Sequence, residues 1–240
     1  MSPSPPLTRD SIRSHLATKT LGARIEVHQQ LDSTNREAFA LAQAGAEHGT
    51  VVVAEGQTHG RGRLGRSWFS PPGINLYCSI IVKTSASPIP FSQWLSWLPL
   101  ATALGVAEAI EKAAGLSTAL KWPNDLLVRE RKIGGILCES GTTVSSGPFQ
   151  VIGVGINVNG TSADFPPDLQ DSSTTIHQES GRLLDRNHLL SRLLLEVEDC
   201  LTELATEGNQ QISIAYARRC VTLGRLVQVS LAGAEEFTGI

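Results

Sequence analysis

A short glycine-rich segment carries three arginines in a spacing suited to holding a small anion. It runs Glu55-Gly-Gln-Thr-His-Gly-Arg-Gly-Arg-Leu-Gly-Arg-Ser-Trp68 and places its arginines at 61, 63 and 66. Glycine tolerates positive φ and has no side chain, so the backbone can approach a ligand closely. Arginine adds planar, permanently charged donors that match carboxylate and phosphate oxygens. The segment therefore indicates a flexible loop that closes over a small anionic ligand.

The same loop also matches the dinucleotide fingerprint G-x-G-x-x-G between Gly60 and Gly65, after an apolar run at 50–54. That fingerprint requires a helix to begin at the loop, because the helix N-terminus holds the pyrophosphate. A Pro-Pro-Gly sequence at 71–73 follows here instead, and it cannot open a long helix. We therefore reject a nicotinamide-binding site.

A lysine in apolar surroundings is the next candidate for chemistry. Lys121 opens the sequence Lys-Trp-Pro-Asn-Asp and directly follows Leu120. An ammonium group is costly to bury without a partner. A lysine held beside apolar residues is therefore well placed to stabilise negative charge that develops on a phosphate.

A polar cluster, Asp32-Ser-Thr-Asn35, stands where a helix is expected to begin. A capping box formed by Thr34 and Glu37 is enough to explain the helix start. The additional small polar side chains are of the kind that recognises an uncharged hydrogen-bonding group.

Glycine pairs interrupt two otherwise apolar strands, one at 134–135 and one at Gly153 and Gly155. Glycine weakens a strand, so its repeated presence indicates that a ligand or another backbone lies against it. A bulge or tight helix packing explains each pair equally well.

Composition limits the class of protein. The 240 residues, 41% hydrophobic and 18% charged, suit one large globular domain or one domain with a small appendage. A net charge of −3 gives no overall attraction to DNA. Four widely spaced cysteines and six histidines show no ligand spacing, so we expect reduced thiols, no metal site and a cytoplasmic protein. We identify neither a signal peptide nor an apolar run of membrane-spanning length.

The hydrophobic periodicity predicts an α+β fold, a mixed sheet with helices on one face. The expected strands lie at 24–28, 50–54, 74–83, 118–139 (two short strands) and 149–158, and paired strands are expected at 226–230 and 236–240 around Ala232-Gly233. The expected helices lie at 8–18, from 32 onward, at 91–114 with a bend or break near Pro99, at 183–205 and near 210–219.

Taken together and in order, these motifs resemble those of the biotin protein ligases. The matching elements are S-T-N, Q-x-x-G-R-G-R-x-G-R-x-W, K-W-P-N-D, K-I-G-G-I-L-x-E and G-x-G-x-N, from about residue 12 to the end. The resemblance implies the catalytic fold shared with class II aminoacyl-tRNA synthetases. It also implies an activity in which biotin and ATP with Mg²⁺ form biotinyl-5′-AMP. Biotin then passes to one lysine of a carrier domain, such as the biotin carboxyl carrier protein of acetyl-CoA carboxylase.

The resemblance further implies roles for individual residues. Lys121 and Arg61 are the expected catalytic groups, and Lys121 is expected to face the biotin carboxylate and the α-phosphate. No metal bound by the protein itself is expected. The implied biotin contacts are Ser33, Thr34, Asn35, Gln57, Arg61, Gly62, Arg63, Lys121 and Gly153, and the implied nucleotide contacts are Arg61, Arg63, Trp68 and Asn157.

The domain organisation follows from the same resemblance. We expect a disordered tail at 1–7, a catalytic domain at 8–220 and an incomplete SH3-like β-domain at 221–240, since that domain normally continues further. The residues before Ser33 match the start of the catalytic domain and not the winged helix-turn-helix of repressor members. We therefore expect a monofunctional ligase without DNA binding, as a monomer or a homodimer.

Two other functions remain open at this point. Lipoate ligases and octanoyltransferases share the catalytic fold and modify a similar carrier lysine, but they lack the three-arginine loop. A biotin-binding module that is inactive in transfer is the second alternative, because the C-terminal segment is short.

Overall fold

A seven-stranded mixed β-sheet forms the centre of the structure, a computed structural model that describes residues 5–83, 91–144, 147–230 and 236–240. Its strands are β1 (Ile25–Leu31), β2 (Val51–Gln57), β3 (Leu76–Lys83), β4 (Ala119–Lys121), β5 (Asp125–Val128), β6 (Arg131–Thr143) and β7 (Gly147–Ile156). They lie in the order β1-β2-β3-β7-β6-β5-β4. The β1–β2 pair is parallel and the other neighbours are antiparallel, so the predicted mixed sheet is confirmed.

The helices of the described residues are α1 (Arg9–Ser14), α2 (Thr34–Gln43), α3 (Phe91–Ala114), α4 (Ile176–Ser180), α5 (Arg186–Glu207) and α6 (Gln210–Arg219). Five of these six helices were predicted; α1 is shorter than expected, and α4 lies where no helix was expected. Helix α3 runs without a break through Pro99, so of the predicted bend or break the break is wrong. None of the described helices is long and apolar enough to cross a membrane.

Alternating side chains of the strands bury two separate cores. Val51 and Val53 of β2 face the larger core, which α3, α5 and α6 cover. Val52 faces the opposite side, where it packs with Ala38 and Ala42 of α2. This alternation is the period-two geometry of a strand, and burial of each such aliphatic side chain stabilises the fold by about 1.5–3 kcal/mol. The long helices thus lie on one face, and α2 shields part of the other.

The N-terminal segment is held from residue 5 onward, so the predicted disordered tail at 1–7 is wrong for its last three residues. Leu7 is buried, and its N–H donates to Glu55 Oε1 at 2.6 Å. The buried guanidinium of Arg186 donates to the other oxygen of Glu55 at 2.6 Å and to the Pro5 carbonyl at 3.2 Å. The first four residues lie outside the described part of the chain.

The start of α2 differs from the predicted capping box. Ser33 is the N-cap residue, and the helix begins at Thr34. The Thr34 N–H donates to Gln57 Oε1 at 2.8 Å, so this residue faces β2 and does not form a capping box with Glu37. The helix start therefore points its polar groups toward the end of a neighbouring strand.

The predicted pair of C-terminal strands is confirmed as β8 (Val227–Ser230) and β9 (Glu236–Gly239), which are antiparallel. The turn predicted at Ala232-Gly233 lies outside the described residues. The segment before β8 is attached to β4, because the Val221 N–H donates to the Leu120 carbonyl at 2.9 Å. A catalytic domain at 8–220 with a separate β-domain at 221–240 stays a prediction.

A carboxylate of α5 anchors the segment that leads into β1. Glu198 accepts the N–H groups of Lys19 at 2.6 Å, Thr20 at 2.7 Å and Leu21 at 2.8 Å, and also the Thr20 hydroxyl at 2.8 Å. Burial raises the pKa of this carboxyl, but the hydrogen bonds together outweigh burial and lower the pKa below its ordinary value of 4.5. Glu198 therefore stabilises the fold in its ionised form.

We expect Glu198→Gln to lower the free energy of unfolding by about 1–3 kcal/mol at pH 7, because the amide loses the charge and turns an NH₂ group toward backbone donors. Since the pKa is lower in the folded state, the advantage of the wild type is complete above about pH 4.5 and disappears as the pH falls through the folded-state pKa. Urea unfolding at pH 7 and pH 3 measures both values. Glu207→Gln, at an exposed position of the same helix, is the control, and a loss independent of pH contradicts this assignment.

Candidate active site

A cavity of about 330 Å³ opens beside the N-terminus of α2, at the small end of the range for small-molecule sites. Residues of the arginine loop, the start of α2, the β4–β5 connection and strands β6 and β7 line it. The cavity brings together every predicted site residue except Asn157: Ser33, Thr34, Asn35, Gln57, Arg61, Gly62, Arg63, Trp68, Lys121 and Gly153.

Neutral hydrogen-bonding groups surround the end of the cavity next to α2. Gln57 Oε1 accepts the Thr34 N–H at 2.8 Å, and Gln57 Nε2 donates to the Ser70 hydroxyl at 2.9 Å. The Ser79 hydroxyl of β3 lies 2.9 Å from Thr34 Oγ1 and 2.7 Å from Asn35 Oδ1. Thr34, Asn35, Ser70 and Ser79 are buried and Gln57 is partly exposed. The groups hold one another in place, so this end of the cavity is preorganised for an uncharged polar group.

The glycine at 153 makes room for one of these amides. A Cβ at Gly153 would lie 1.9 Å from Asn35 Oδ1, so no other residue allows the amide to lie on β7. Asn35 Nδ2 then reaches the Leu137 carbonyl at 3.1 Å and Glu139 Oε2 at 2.9 Å. Gly153 lines the cavity, but the group packed against it is a side chain of the protein itself.

Gly155 and Gly135 serve a second side chain in the same way. A Cβ at Gly155 would lie 2.6 Å from the Trp68 indole, and one at Gly135 would lie 3.2 Å from it. The indole therefore lies flat on β6 and β7 and forms part of the cavity floor. A flat aromatic surface of this kind suits stacking with a planar ring.

The arginine loop forms a compact turn over the cavity. The Gly62 N–H donates to the Arg66 carbonyl at 2.7 Å, and the Trp68 N–H donates to the Gly60 carbonyl at 2.8 Å. Arg61 Nη1 lies 2.9 Å from Glu139 Oε1, and Arg63 Nη1 donates to Asn124 Oδ1 at 3.3 Å. Leu64 at the tip adopts a φ of 55° and is 71% exposed. The tip is thus free of packing, while both arginines contact the body of the protein.

Two lysines line the cavity, and they differ in their surroundings. Lys121 ends β4 and is exposed, so the prediction that it lies in apolar surroundings is wrong. Lys132 Nζ pairs with Asp125 Oδ1 at 2.6 Å and lies 5.3 Å from the centre of the Trp68 ring. Lys132 therefore stands over the floor of the cavity, in a cation–π geometry, while Lys121 stands at its rim.

Sequence reasoning missed Lys132 and Asp125, although both belong to motifs that it quoted. Asp125 is the last residue of K-W-P-N-D, and Lys132 opens K-I-G-G-I-L-x-E. Asp125 pairs with Gly135 across β5 and β6, and this register brings the two charges together. Each of the two motifs begins with a lysine, and this repetition was the sequence feature that could have pointed to Lys132.

Tyr77 of β3 is another cavity residue that the sequence did not indicate. Its O–H donates to the Pro71 carbonyl at 2.9 Å. Burial raises the pKa of the Tyr77 hydroxyl well above its ordinary value, so the group remains a neutral donor at physiological pH. It thereby ties the segment after the arginine loop to the sheet.

Asn157 does not line the cavity. It is buried, and its Nδ2 donates to the Thr174 carbonyl at 3.1 Å. Its backbone N–H donates to the Ile133 carbonyl at 2.9 Å. The side chain thus holds together the backbone behind Lys132, and its predicted contact with a nucleotide has no support in this arrangement.

The charge of the cavity favours anions strongly. Its described lining carries one acidic side chain, Asp125, and five basic ones: Arg61, Arg63, Arg66, Lys121 and Lys132. No group of three or more histidine, cysteine, aspartate or glutamate side chains suited to a metal occurs among the described residues. All four cysteines are free thiols. The arrangement can hold a polar, uncharged group at one end and bring anionic groups together at the other.

Comparison with known proteins agrees with this geometry. The Biotin/lipoate A/B protein ligase family matches residues 27–159. The chain is 36% identical to the biotin–[acetyl-CoA-carboxylase] ligase of Mycobacterium tuberculosis over 98% of this chain and 86% of that protein. It is also 36% identical to the bifunctional ligase/repressor BirA of Bacillus subtilis, over 91% of this chain but only 66% of the length of that relative.

A solved structure of a biotin protein ligase also matches the fold of this chain. The biotin protein ligase of Aquifex aeolicus in complex with biotin and ATP matches with a TM-score of 0.76 and 30% identity, over 90% of this chain and 86% of that one. The chain therefore belongs to the Biotin/lipoate A/B protein ligase family.

We expect Gly153→Ala to lower the free energy of unfolding by about 1–3 kcal/mol, because the new Cβ forces Asn35 away from buried partners that stay unpaired. Urea denaturation measures the loss. Gly239→Ala is the control, since a Cβ at that strand glycine meets nothing within 4 Å. Equal losses in the two variants would mean that the displaced amide is not the cause.

Proposed function

We propose that the chain is an ATP-dependent biotin protein ligase, which activates biotin as biotinyl-5′-AMP and transfers it to a lysine of a carrier domain. The observation that carries this proposal is the division of one cavity into a neutral amide end and a strongly basic end. Biotin has the same division, with an uncharged ureido ring and a carboxylate. The kinship with biotin ligases supports the choice of ligand.

The neutral end is proposed to hold the ureido ring. Thr34 and Asn35 offer a buried hydroxyl and a buried amide there, Gln57 offers a partly exposed amide, and Ser33 lies beside them. Such groups discriminate strongly, because a ligand that lacks the matching donor or acceptor leaves them unpaired. Arg61 and Gly62 lie at the edge of this end, where the loop covers the ring.

The basic end is proposed to hold the carboxylate and the α-phosphate. Both groups are anionic, and at contact distance their repulsion amounts to several kcal/mol in a partly buried site. Lys132 and Arg63 are placed to offset it. The floor at Trp68 suits adenine, and Mg²⁺ enters as part of the MgATP substrate.

The first step then needs no covalent enzyme intermediate. An oxygen of the carboxylate attacks the α-phosphorus, the bond to the pyrophosphate oxygen breaks, and pyrophosphate carries away the electron pair. The product is a mixed anhydride of biotin and AMP. Positioning and charge stabilisation supply the acceleration, as in other phosphoryl-type transfers.

In the second step the unprotonated amine of the carrier lysine attacks the carbonyl carbon of the anhydride. An amide forms as the nitrogen releases a proton to solvent, and AMP leaves with the electron pair of the broken bond. Water would destroy the same anhydride, so the glycine-hinged loop has to shield it until the carrier arrives. The loop tip at Leu64 is exposed and free to make that movement.

The acceptor that best suits this reaction is the biotin carboxyl carrier domain of acetyl-CoA carboxylase. The name of the Mycobacterium tuberculosis relative supports this choice. We place the reaction in the cytoplasm, a reducing compartment consistent with four free thiols.

The decisive experiment measures pyrophosphate release by the purified chain with MgATP and either biotin or lipoate. We expect release with biotin alone, followed by biotinylation when a carrier domain is added. Release only with lipoate would favour the lipoate branch of the family. Binding of biotin without pyrophosphate release would make the protein a binding module.

A second experiment separates the two cavity lysines. We expect Lys132→Ala to lower the rate of adenylate formation at least about 100-fold, because it removes the cation that lies over the floor of the cavity. Lys121→Ala, at the exposed rim, should lower it less than about tenfold. Quenched-flow measurement of biotinyl-5′-AMP gives both rates. The reverse order of effects would return the catalytic role to Lys121, as the sequence resemblance implies.

A further inference from the structure

Glu139 of β6 lies just behind the cavity lining and contacts two residues that belong to it. Its Oε2 accepts from Asn35 Nδ2 at 2.9 Å and from Arg61 Nη1 at 3.0 Å, and its Oε1 lies 2.9 Å from Arg61 Nη1. We infer that Glu139 is a positioning residue that fixes which end of the Asn35 amide faces the ligand. The inference rests on the proposed function, because it concerns recognition of the ureido ring.

The hydrogen bonds of Asn35 allow one orientation of its amide. A carboxylate can only accept, so Glu139 requires the NH₂ group of Asn35 on its side. The Leu137 carbonyl, 3.1 Å from the same nitrogen, makes the same demand. The reversed amide would set an oxygen against two acceptors, one of them charged. Glu139 and Leu137 therefore hold Asn35 Oδ1 in its position.

This orientation leaves the acceptor oxygen of Asn35 as the group that a ligand can contact. Asn35 Oδ1 has two lone pairs and accepts the Ser79 hydroxyl at 2.7 Å with one of them. Both N–H groups are already used. Asn35 lines the cavity and can therefore offer a ligand there only an acceptor. A ligand that binds there has to bring an N–H donor, which a ureido ring has and a dithiolane ring lacks.

Arg61 balances the charge of Glu139 without changing the orientation of the Asn35 amide. Arg61 pairs with both carboxylate oxygens from the loop side. A glutamine at this position offers one acceptor oxygen and one NH₂ group to two donors, Asn35 and Arg61. Turned one way, this glutamine places its NH₂ group against Asn35. Turned the other way, it keeps only a neutral oxygen there, and in both cases the preference of Asn35 for its present orientation becomes weaker.

The test uses Glu139→Gln, with Glu26→Gln as the matched control from an Arg–Glu pair outside the cavity. Isothermal titration should show biotin affinity lower by about 10- to 100-fold in the first variant only. The melting temperature should change no more than in the control. Unchanged biotin affinity overturns the inference.

Biotin analogues with one ureido N–H replaced by a ring oxygen separate positioning from a general loss of structure. In the wild type, the analogue that lacks the N–H facing Asn35 should bind at least about 100-fold more weakly than biotin. In Glu139→Gln that ratio should shrink about tenfold, because the acceptor is no longer held in place. An unchanged ratio overturns the inference. If the wild type does not bind biotin at all, the proposed function itself fails.

Discussion

The absence of side chains at two positions of one strand is the constraint on which the cavity depends. Gly153 and Gly155 let Asn35 and Trp68 lie directly on β7, at distances that a Cβ would forbid. The amide forms the neutral end of the cavity and the indole forms the floor of its basic end. A strand with ordinary alternating side chains would fill this space, and neither end would exist.

Ion pairs around this floor hold two of the cations in place. The described lining still carries more basic than acidic side chains. Lys132 is oriented by Asp125, and Arg61 is oriented by Glu139. Arg63 contacts a neutral amide and keeps its full charge for a ligand. A partly paired cation is already positioned before an anion arrives, so less reorganisation accompanies binding. The pairs therefore explain why carboxylates stand close to a cavity proposed to bind anions.

The same residues illustrate how glycines can be misjudged from sequence. Repeated glycine in an apolar strand indicated a ligand or a backbone against the sheet, and the cavity does open there. The atoms in direct contact are nevertheless side chains of the protein. Gly153 thus bears on the cavity through Asn35, whose amide in turn contacts Glu139.

The sequence by itself determined the features that depend on local patterns. The apolar run at 50–54 placed β2, the apolar helical pattern at 91–114 placed α3, and the spacing of glycine and arginine marked the loop. Tertiary structure decided the features that depend on distant partners. The Pro5 carbonyl is held by Arg186 and the Leu7 N–H by Glu55, both far along the chain, and no local pattern could reveal these contacts.

The same limit applies to the choice between the lysines. Lys121 and Lys132 each open one of the quoted motifs, and the register of β5 with β6 sets only one of them over Trp68 beside Asp125. Strand register depends on the packing of the whole sheet, because a shift of one residue turns every side chain to the opposite face. Residue types and their spacing thus indicated a site for an anionic ligand. Long-range strand pairing decided which side chains lie in that site.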